Sequence, residues 1–213
     1  MVGNVSSYPF PAGAALSEKL LAKMPPMDLP DGVSPAAVMM LLVGKADAPE
    51  VVLTLRSLQL KRHAGQVSFP GGKPDTGDAD LCATALRETE EEIGWPADKI
   101  DILGYLPLHL TGTNYLIQPV IGYSAVMPDD FIAMLTPQAA EVETVWTTPV
   151  LPLTNLQRYE HQHRDWQGQR RQFFTITDTD PVIWGATAGI LRSFAQAVQS
   201  GYDEESPLTP IHC

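Results

Sequence analysis

The stretch from Gly71 to Trp95 constrains this chain more than any other part of it. It opens with Gly71-Gly72-Lys73, enters a helical pattern over 79–93, and stops at Gly94 and Pro96. At about 3.6 residues per turn, Cys82, Leu86, Thr89 and Ile93 share one mostly apolar stripe. Glu88, Glu91 and Glu92 have the spacing i, i+3, i+4 and project within an arc of roughly 100° on the other side. Arg87 stands one turn before Glu91 and can pair with it. Gly94 suits a C-cap, and Pro96 forbids continuation.

Like charges at these spacings cost a helix about 0.2–0.5 kcal/mol per pair. A run of glutamates is ordinarily a solvated helix face. Here a glycine turn precedes it, and Gly71 and Gly72 let backbone amides approach an anion closely. Hard divalent ions such as Mg²⁺ take oxygen ligands, commonly one or two carboxylates together with substrate phosphate and water. The pattern therefore leaves two readings open, a solvated helix face or a set of carboxylates that can supply ligands to a hard cation from a rigid element.

Around this segment the chain reads as one domain, which its 213 residues suit. Strand-like runs are expected at 36–44 and 51–57, then at 98–109, 117–125 and 142–147. Residues 158–166 and 170–177 read as a hairpin turning at Gln167-Gly168. Short helical patterns fall at 17–24 and 129–135, and an amphipathic helix spans 184–199 with Ile190, Leu191, Phe194 and Val198 on its apolar face. Residues 1–35 are expected to be a leader packing on the domain, 36–200 the domain itself, and 201–213 a frayed acidic tail. Strands with interspersed helices predict an α/β (α+β) fold, a mixed β-sheet sandwiched between helices.

Charge limits the partners. Fourteen basic against 25 acidic residues leave a formal charge of −11, which disfavours nucleic acid. Yet Arg56, Lys61, Arg62 and Lys73 form a local cationic stretch, with no acid between 56 and 74. A second basic stretch, 158–171, is read as surface charge, with a pocket wall or a homodimer contact as alternatives. Residues 1–11 carry no secretory pattern, and the longest apolar run, 36–43, is too short to span a bilayer as a helix. Cys82 and Cys213 lie far apart with no zinc-type spacing. A cytoplasmic protein without a membrane partner is expected.

The segment resembles the Nudix box, G-x5-E-x7-R-E-U-x-E-E-x-G-U with U aliphatic. Arg87-Glu88, Glu91-Glu92 and Gly94 match its second half in register. The resemblance implies a Nudix-like α/β/α sandwich, hydrolysis of a nucleoside diphosphate derivative, metal binding (Mg²⁺ or Mn²⁺) by Glu88, Glu91 and Glu92, and an orienting role for Arg87. The chain departs from the box in its first half. Gly72 to Arg87 is fifteen steps, one more than the box, and the early glutamate is replaced by nearby Asp78 or Asp80; Thr89 and Trp95 also stand where the box has aliphatic residues.

Upstream, Leu53-Thr54-Leu55-Arg56-Ser57 and His63-Ala64-Gly65-Gln66-Val67-Ser68-Phe69-Pro70-Gly71-Gly72 resemble the coenzyme A pyrophosphatase branch of that family. That branch tends to carry the one-residue insertion and aspartates in the box. The strings Ala140-Glu141-Val142 and Ile183-Trp184-Gly185-Ala186-Thr187-Ala188 are similar to it as well. The resemblance implies coenzyme A or acyl-CoA as substrate, with 3′,5′-ADP and 4′-phosphopantetheine as products.

Catalysis is expected from Glu91, Glu92, Arg87 and Glu141, the general base being a box glutamate or Glu141. Substrate contacts are expected from Arg56, Lys61, Arg62, Gly71, Gly72 and Lys73, and from His63 unless it bonds only within its own loop. Phe69 and Trp184 are read as core. A Nudix hydrolase of a nucleotide sugar or dinucleotide, and a non-catalytic nucleotide-binding module, are the rival readings.

Overall fold

The computed structural model describes residues 16–166 and 169–200. The tail from 201 and the turn at Gln167-Gly168 lie outside the described residues.

Strand β1 (Ser34–Lys45) forms the spine. Met39 to Val43 are almost wholly excluded from solvent, and their side chains alternate between two separate apolar clusters. That continuous apolar run is what a strand covered on both faces requires. A tight turn leads into β2 (Ala48–Arg56), antiparallel to β1, and β2 in turn pairs with β3 (Val67–Ser68). β4 (Gly71–Gly72) pairs with β1, and helix α1 (Leu81–Ile93) follows. Then come β5 (Asp101–Tyr105), β6 (His109–Leu110) and β7 (Tyr115–Ser124). β7 runs parallel to β1, so the eight-stranded sheet is mixed. Helix α2 (Pro128–Met134), β8 (Val142–Pro149) against β2, and the short α3 (Val150–Leu153) complete this part.

The remaining chain builds a three-stranded sheet, β9 (Glu160–Trp166), β10 (Gln169–Ile176) and β11 (Ile183–Trp184), and then helix α4 (Ala186–Ser200). Helix α4 packs on one face of the main sheet through Ile190, Leu191 and Phe194. On the other face, Ala85 and Ile93 of α1 and Phe131 of α2 pack with Met39, Leu41 and Val43. The architecture is the expected α/β/α sandwich. Trp95, where the box has an aliphatic residue, fills this second layer, its ring 4.5 Å from that of Phe131.

Local departures from the sequence reading have physical causes. The run 98–109 is not one strand: Ala97–Lys99 is a 3₁₀ turn, and Pro107 separates β5 from β6. Pro119 in β7 lacks a ladder donor as well. The buried Gln118 amide spans this irregular stretch, donating to the carbonyls of Leu106 (3.0 Å) and Pro119 (2.9 Å). The pattern at 17–24 does not continue as a helix, because residues 18–20 turn and Leu21 exchanges 3.0 Å backbone hydrogen bonds with Tyr105. Leu16 and Leu20 are buried in the α4-side core. Phe69 is buried as expected, but Trp184 is 39% exposed, because strand alternation turns Ile183 into the core and its neighbour outward.

Candidate active site

Helix α1 is placed by its two ends. Asp80 caps the N-terminus, accepting from the Ala83 amide at 2.8 Å. Gly94 closes the C-terminus at φ 75°, donating to the Glu90 carbonyl. Between these caps the three glutamates are not equivalent. Side-chain exposure is 15% for Glu88, 56% for Glu91 and 3% for Glu92. The arc that they share straddles the edge of the sandwich, so Glu92 enters the interior beside Ile93 while Glu91 stays in water.

Arg87 does more than pair with Glu91. It bonds the Glu91 carboxylate at 2.8 Å and meets Glu88 at 3.1 Å. It also donates to both oxygens of Asp78 at 3.0 Å and to the Lys73 carbonyl at 3.0 Å. Asp78 accepts from the Asp75 amide and the Thr84 hydroxyl as well. The Arg87 guanidinium, with these further donors, holds the Asp78 carboxyl well below the usual carboxylate range. Asp78 was visible in sequence only as an acid near the position of the missing glutamate. Its partner could not be read there, because the intervening loop sets the approach.

Glu92 is approached from two strands, β2 and β4. The Arg56 guanidinium lies 3.6 Å from Oε1, the Gly71 backbone favours the charged carboxylate, and Oε2 is buried without a partner. Burial pushes the Glu92 carboxyl up to about 8, with Glu88 and Glu141 adding to the rise against the pull of Arg56. Glu88 is also raised, mainly by burial, and Glu91 and Glu141 push in the same direction. A backbone circuit puts Glu141 in range. The Gln138 amide donates to the Glu92 carbonyl, the Glu141 amide to Gln138, and the Ser57 amide to the Glu141 carbonyl, at 2.9, 2.9 and 2.8 Å.

Both glycines are sites of close approach, and Gly72 admits the Glu88 carboxylate. A Cβ on Gly72 would lie 2.5 Å from Glu88 Oε1 and 2.6 Å from its Cδ. A Cβ on Gly71 would run into the Ala37 carbonyl oxygen and the Val38 backbone. The anion against Gly72 is thus the protein's own Glu88.

The expected cationic residues separate into two groups. Arg56 is drawn into the carboxylates. Lys61, Arg62 and His63 are exposed on the loop between β2 and β3, where His63 Nδ1 bonds Gln66 Oε1 at 2.8 Å. Lys73 leaves the glycine turn with its ammonium 5.3 Å over the Tyr115 ring. In the second basic stretch, Arg158 is paired with Asp178 at 2.8 Å.

Among the described residues no three His, Cys, Asp or Glu side chains already converge as a ready ligand set. The donor chemistry nevertheless fits a hard divalent cation. Glu88, Glu92 and Glu141 act on one another electrostatically, and one buried oxygen of Glu92 has no hydrogen bond to satisfy it.

Among the described residues no helix is long and apolar enough to cross a membrane. Residues 33–174 match the NUDIX domain family. "Uncharacterized Nudix hydrolase NudL" of Photorhabdus laumondii is 38% identical over 176 residues, covering 82% of this chain and 90% of that protein. The protein so named in Shigella boydii serotype 4 is 37% identical over 168 residues, covering 75% and 80%. Among solved structures, a C. elegans Ap4A hydrolase binary complex superposes with TM-score 0.49 at 17% identity, covering 78% of this chain and 98% of that one. The arginine-tethered glutamate helix described above therefore sits within a domain whose kinship is clear: this chain belongs to the Nudix family of pyrophosphohydrolases.

Proposed function

We propose that the protein cleaves the diphosphate of coenzyme A, or of an acyl-CoA, to 3′,5′-ADP and 4′-phosphopantetheine. The observation that carries the chemistry is Glu92, a buried carboxylate with one unpartnered oxygen beside Glu88 and Glu141. The choice of substrate is supported by the branch-like segment 53–72 and by its excess of cations.

Glu88, Glu91 and Glu92 would hold a divalent ion, Mg²⁺ or Mn²⁺, which would supply charge neutralisation on the diphosphate and a lowered pKa for a bound water. Arg87 fixes the directions of Glu88 and Glu91, and Asp78 fixes Arg87. Lys61, Arg62, His63 and Lys73 draw the substrate's anionic groups to the mouth of the site beside Gly71 and Gly72. The Glu141 carboxylate takes a proton from the attacking water. The water oxygen bonds to phosphorus, and the bond from phosphorus to the bridging oxygen breaks, so the second phosphate leaves with that oxygen.

The test is incubation with coenzyme A and Mn²⁺ or Mg²⁺, with products identified by mass. Equal amounts of 3′,5′-ADP and 4′-phosphopantetheine are expected. Intact coenzyme A, with cleavage of a nucleotide sugar or dinucleotide under the same conditions, would overturn the reading.

A further inference from the structure

The second basic stretch and the exposed Trp184 come together in the three-stranded sheet. Register places Arg171 directly opposite Arg164, and Phe173 opposite Gln162. On the other side of β10, Thr175 faces Trp184. Directly opposed residues, and residues two apart along one strand, share a face. Arg164, Arg171, Phe173 and Trp184 therefore line one face of the sheet, with the Phe173 and Trp184 rings in edge contact at 5.7 Å.

Two arginines directly opposed across a ladder repel each other. Among the described residues neither has a carboxylate within ion-pair distance. The acid on the same face of β9, Glu160, is two pairs away and is taken up by the Thr177 hydroxyl and the Gln162 amide. Asp165 faces Arg170 instead. The opposed pair thus presents an uncompensated positive charge whose complement is a multiply charged anion.

This face connects to the glycine turn through the loop between β6 and β7. A Cβ on Gly112 would lie 2.8 Å from Arg171 Nη1, so the guanidinium lies against the loop between β6 and β7. That loop is stitched to itself, since the Thr111 amide donates to the Tyr115 carbonyl at 2.8 Å and the Tyr115 amide to the Thr111 hydroxyl at 3.0 Å. Tyr115 carries the ammonium of Lys73, which directly follows Gly72. Near Trp184, the Thr187 hydroxyl donates to the Val67 carbonyl at 2.8 Å and ties the start of α4 to β3.

We infer that this face is the subsite for the nucleotide end of the substrate, with Arg164 and Arg171 binding a phosphomonoester and Trp184 stacking on the base. Paired guanidiniums match a phosphate dianion through charge-assisted hydrogen bonds. An exposed indole in edge-type contact with a second ring offers a platform for an aromatic base. The inference rests on the coenzyme A reading, because the 3′-phosphate of coenzyme A stands beside its adenosine diphosphate.

Calorimetry without metal, on the full chain, tests it with 3′,5′-ADP, 5′-AMP and inorganic phosphate as probes. The unaltered protein is expected to bind 3′,5′-ADP at least about tenfold more tightly than either other probe. Replacing both arginines (Arg164→Gln with Arg171→Gln) should bring 3′,5′-ADP down to the affinity of 5′-AMP. Trp184→Leu should weaken both nucleotides by a similar factor. Each single arginine change gives a partial loss and keeps the test open should the double variant misfold. Equal affinity for the two nucleotides in the unaltered protein, or a preference surviving in the double variant, overturns the subsite. Coenzyme A cleavage without the preference sinks the subsite and leaves the diphosphatase; the preference without cleavage does the reverse.

Discussion

Asp78 and Arg87 meet as a bidentate pair, Nε to Oδ1 and Nη2 to Oδ2, each at 3.0 Å. The pair explains how the box tolerates the loss of its early glutamate. Asp78 approaches from the loop before α1 and anchors the guanidinium that reaches Glu88 and Glu91. Asp78→Asn keeps the shape and removes the charge that fixes Arg87. We expect kcat on coenzyme A to fall about 10–100-fold, with weakened Mn²⁺ dependence and a smaller change in KM. An unchanged rate and metal titration would refute this positioning role.

Gly72 touches the Glu88 carboxylate so closely that any side chain there must displace it. Its backbone is ordinary β, and the constraint is space alone. Gly72→Ala must push Glu88 aside or bend the turn, and because the obstacle is the end of a flexible side chain the cost is about 1 kcal/mol, the low end of overpacking. Both routes move a carboxylate of the site. The expected outcome is a folded protein of lowered Tm whose kcat drops at least about tenfold. Normal turnover at a normal Tm would show that Glu88 has room that the geometry denies.

How far the sequence alone leads depends on the kind of relationship. The sandwich was legible because β1 is apolar without interruption and α4 is apolar every third or fourth residue, both local periodicities. The glutamate helix was legible from spacing and caps. The inequality of its three carboxylates was not, because burial of Glu92 depends on Arg56 and Gly71 arriving from other strands. The partner of Asp78 is hidden from the sequence for the same reason. The exposure of Trp184 depends on the register of β11, which a two-residue strand does not declare in its own composition.

Glu91 and Glu92, neighbours in sequence, should respond oppositely to neutralisation. Glu91 is mostly solvated and its Arg87 pair is a surface interaction, so Glu91→Gln should change stability by less than about 1 kcal/mol while lowering kcat by orders of magnitude. Glu92 is buried, with an unsatisfied oxygen near two other carboxylates. Glu92→Gln should also abolish activity, yet raise the stability of the metal-free protein by about 1 kcal/mol or more, as strained functional groups do when neutralised. Chemical denaturation of both variants, alongside their turnover, checks the contrast. A Glu92→Gln protein less stable than its parent would defeat it.

His109 gives a pH dependence remote from the carboxylates. It sits in β6 against Gly189 of α4, so close that a Cβ on that glycine would lie 2.5 Å from the imidazole Cε1. Burial lowers its pKa from 6.5 to about 4. Between these values the unfolded chain takes up a proton that the folded chain refuses. Its contribution is therefore intact above pH about 6.5 and is lost as pH falls toward about 4, by on the order of 3 kcal/mol in all. His109→Gln removes the titrating group and should flatten that limb, leaving the carboxylates to act alone. Urea unfolding at steps from pH 7.5 to 4.5 would reveal it as a narrowing gap between the two proteins at the acid end, and parallel curves throughout would show that His109 is protonated without cost in the folded state.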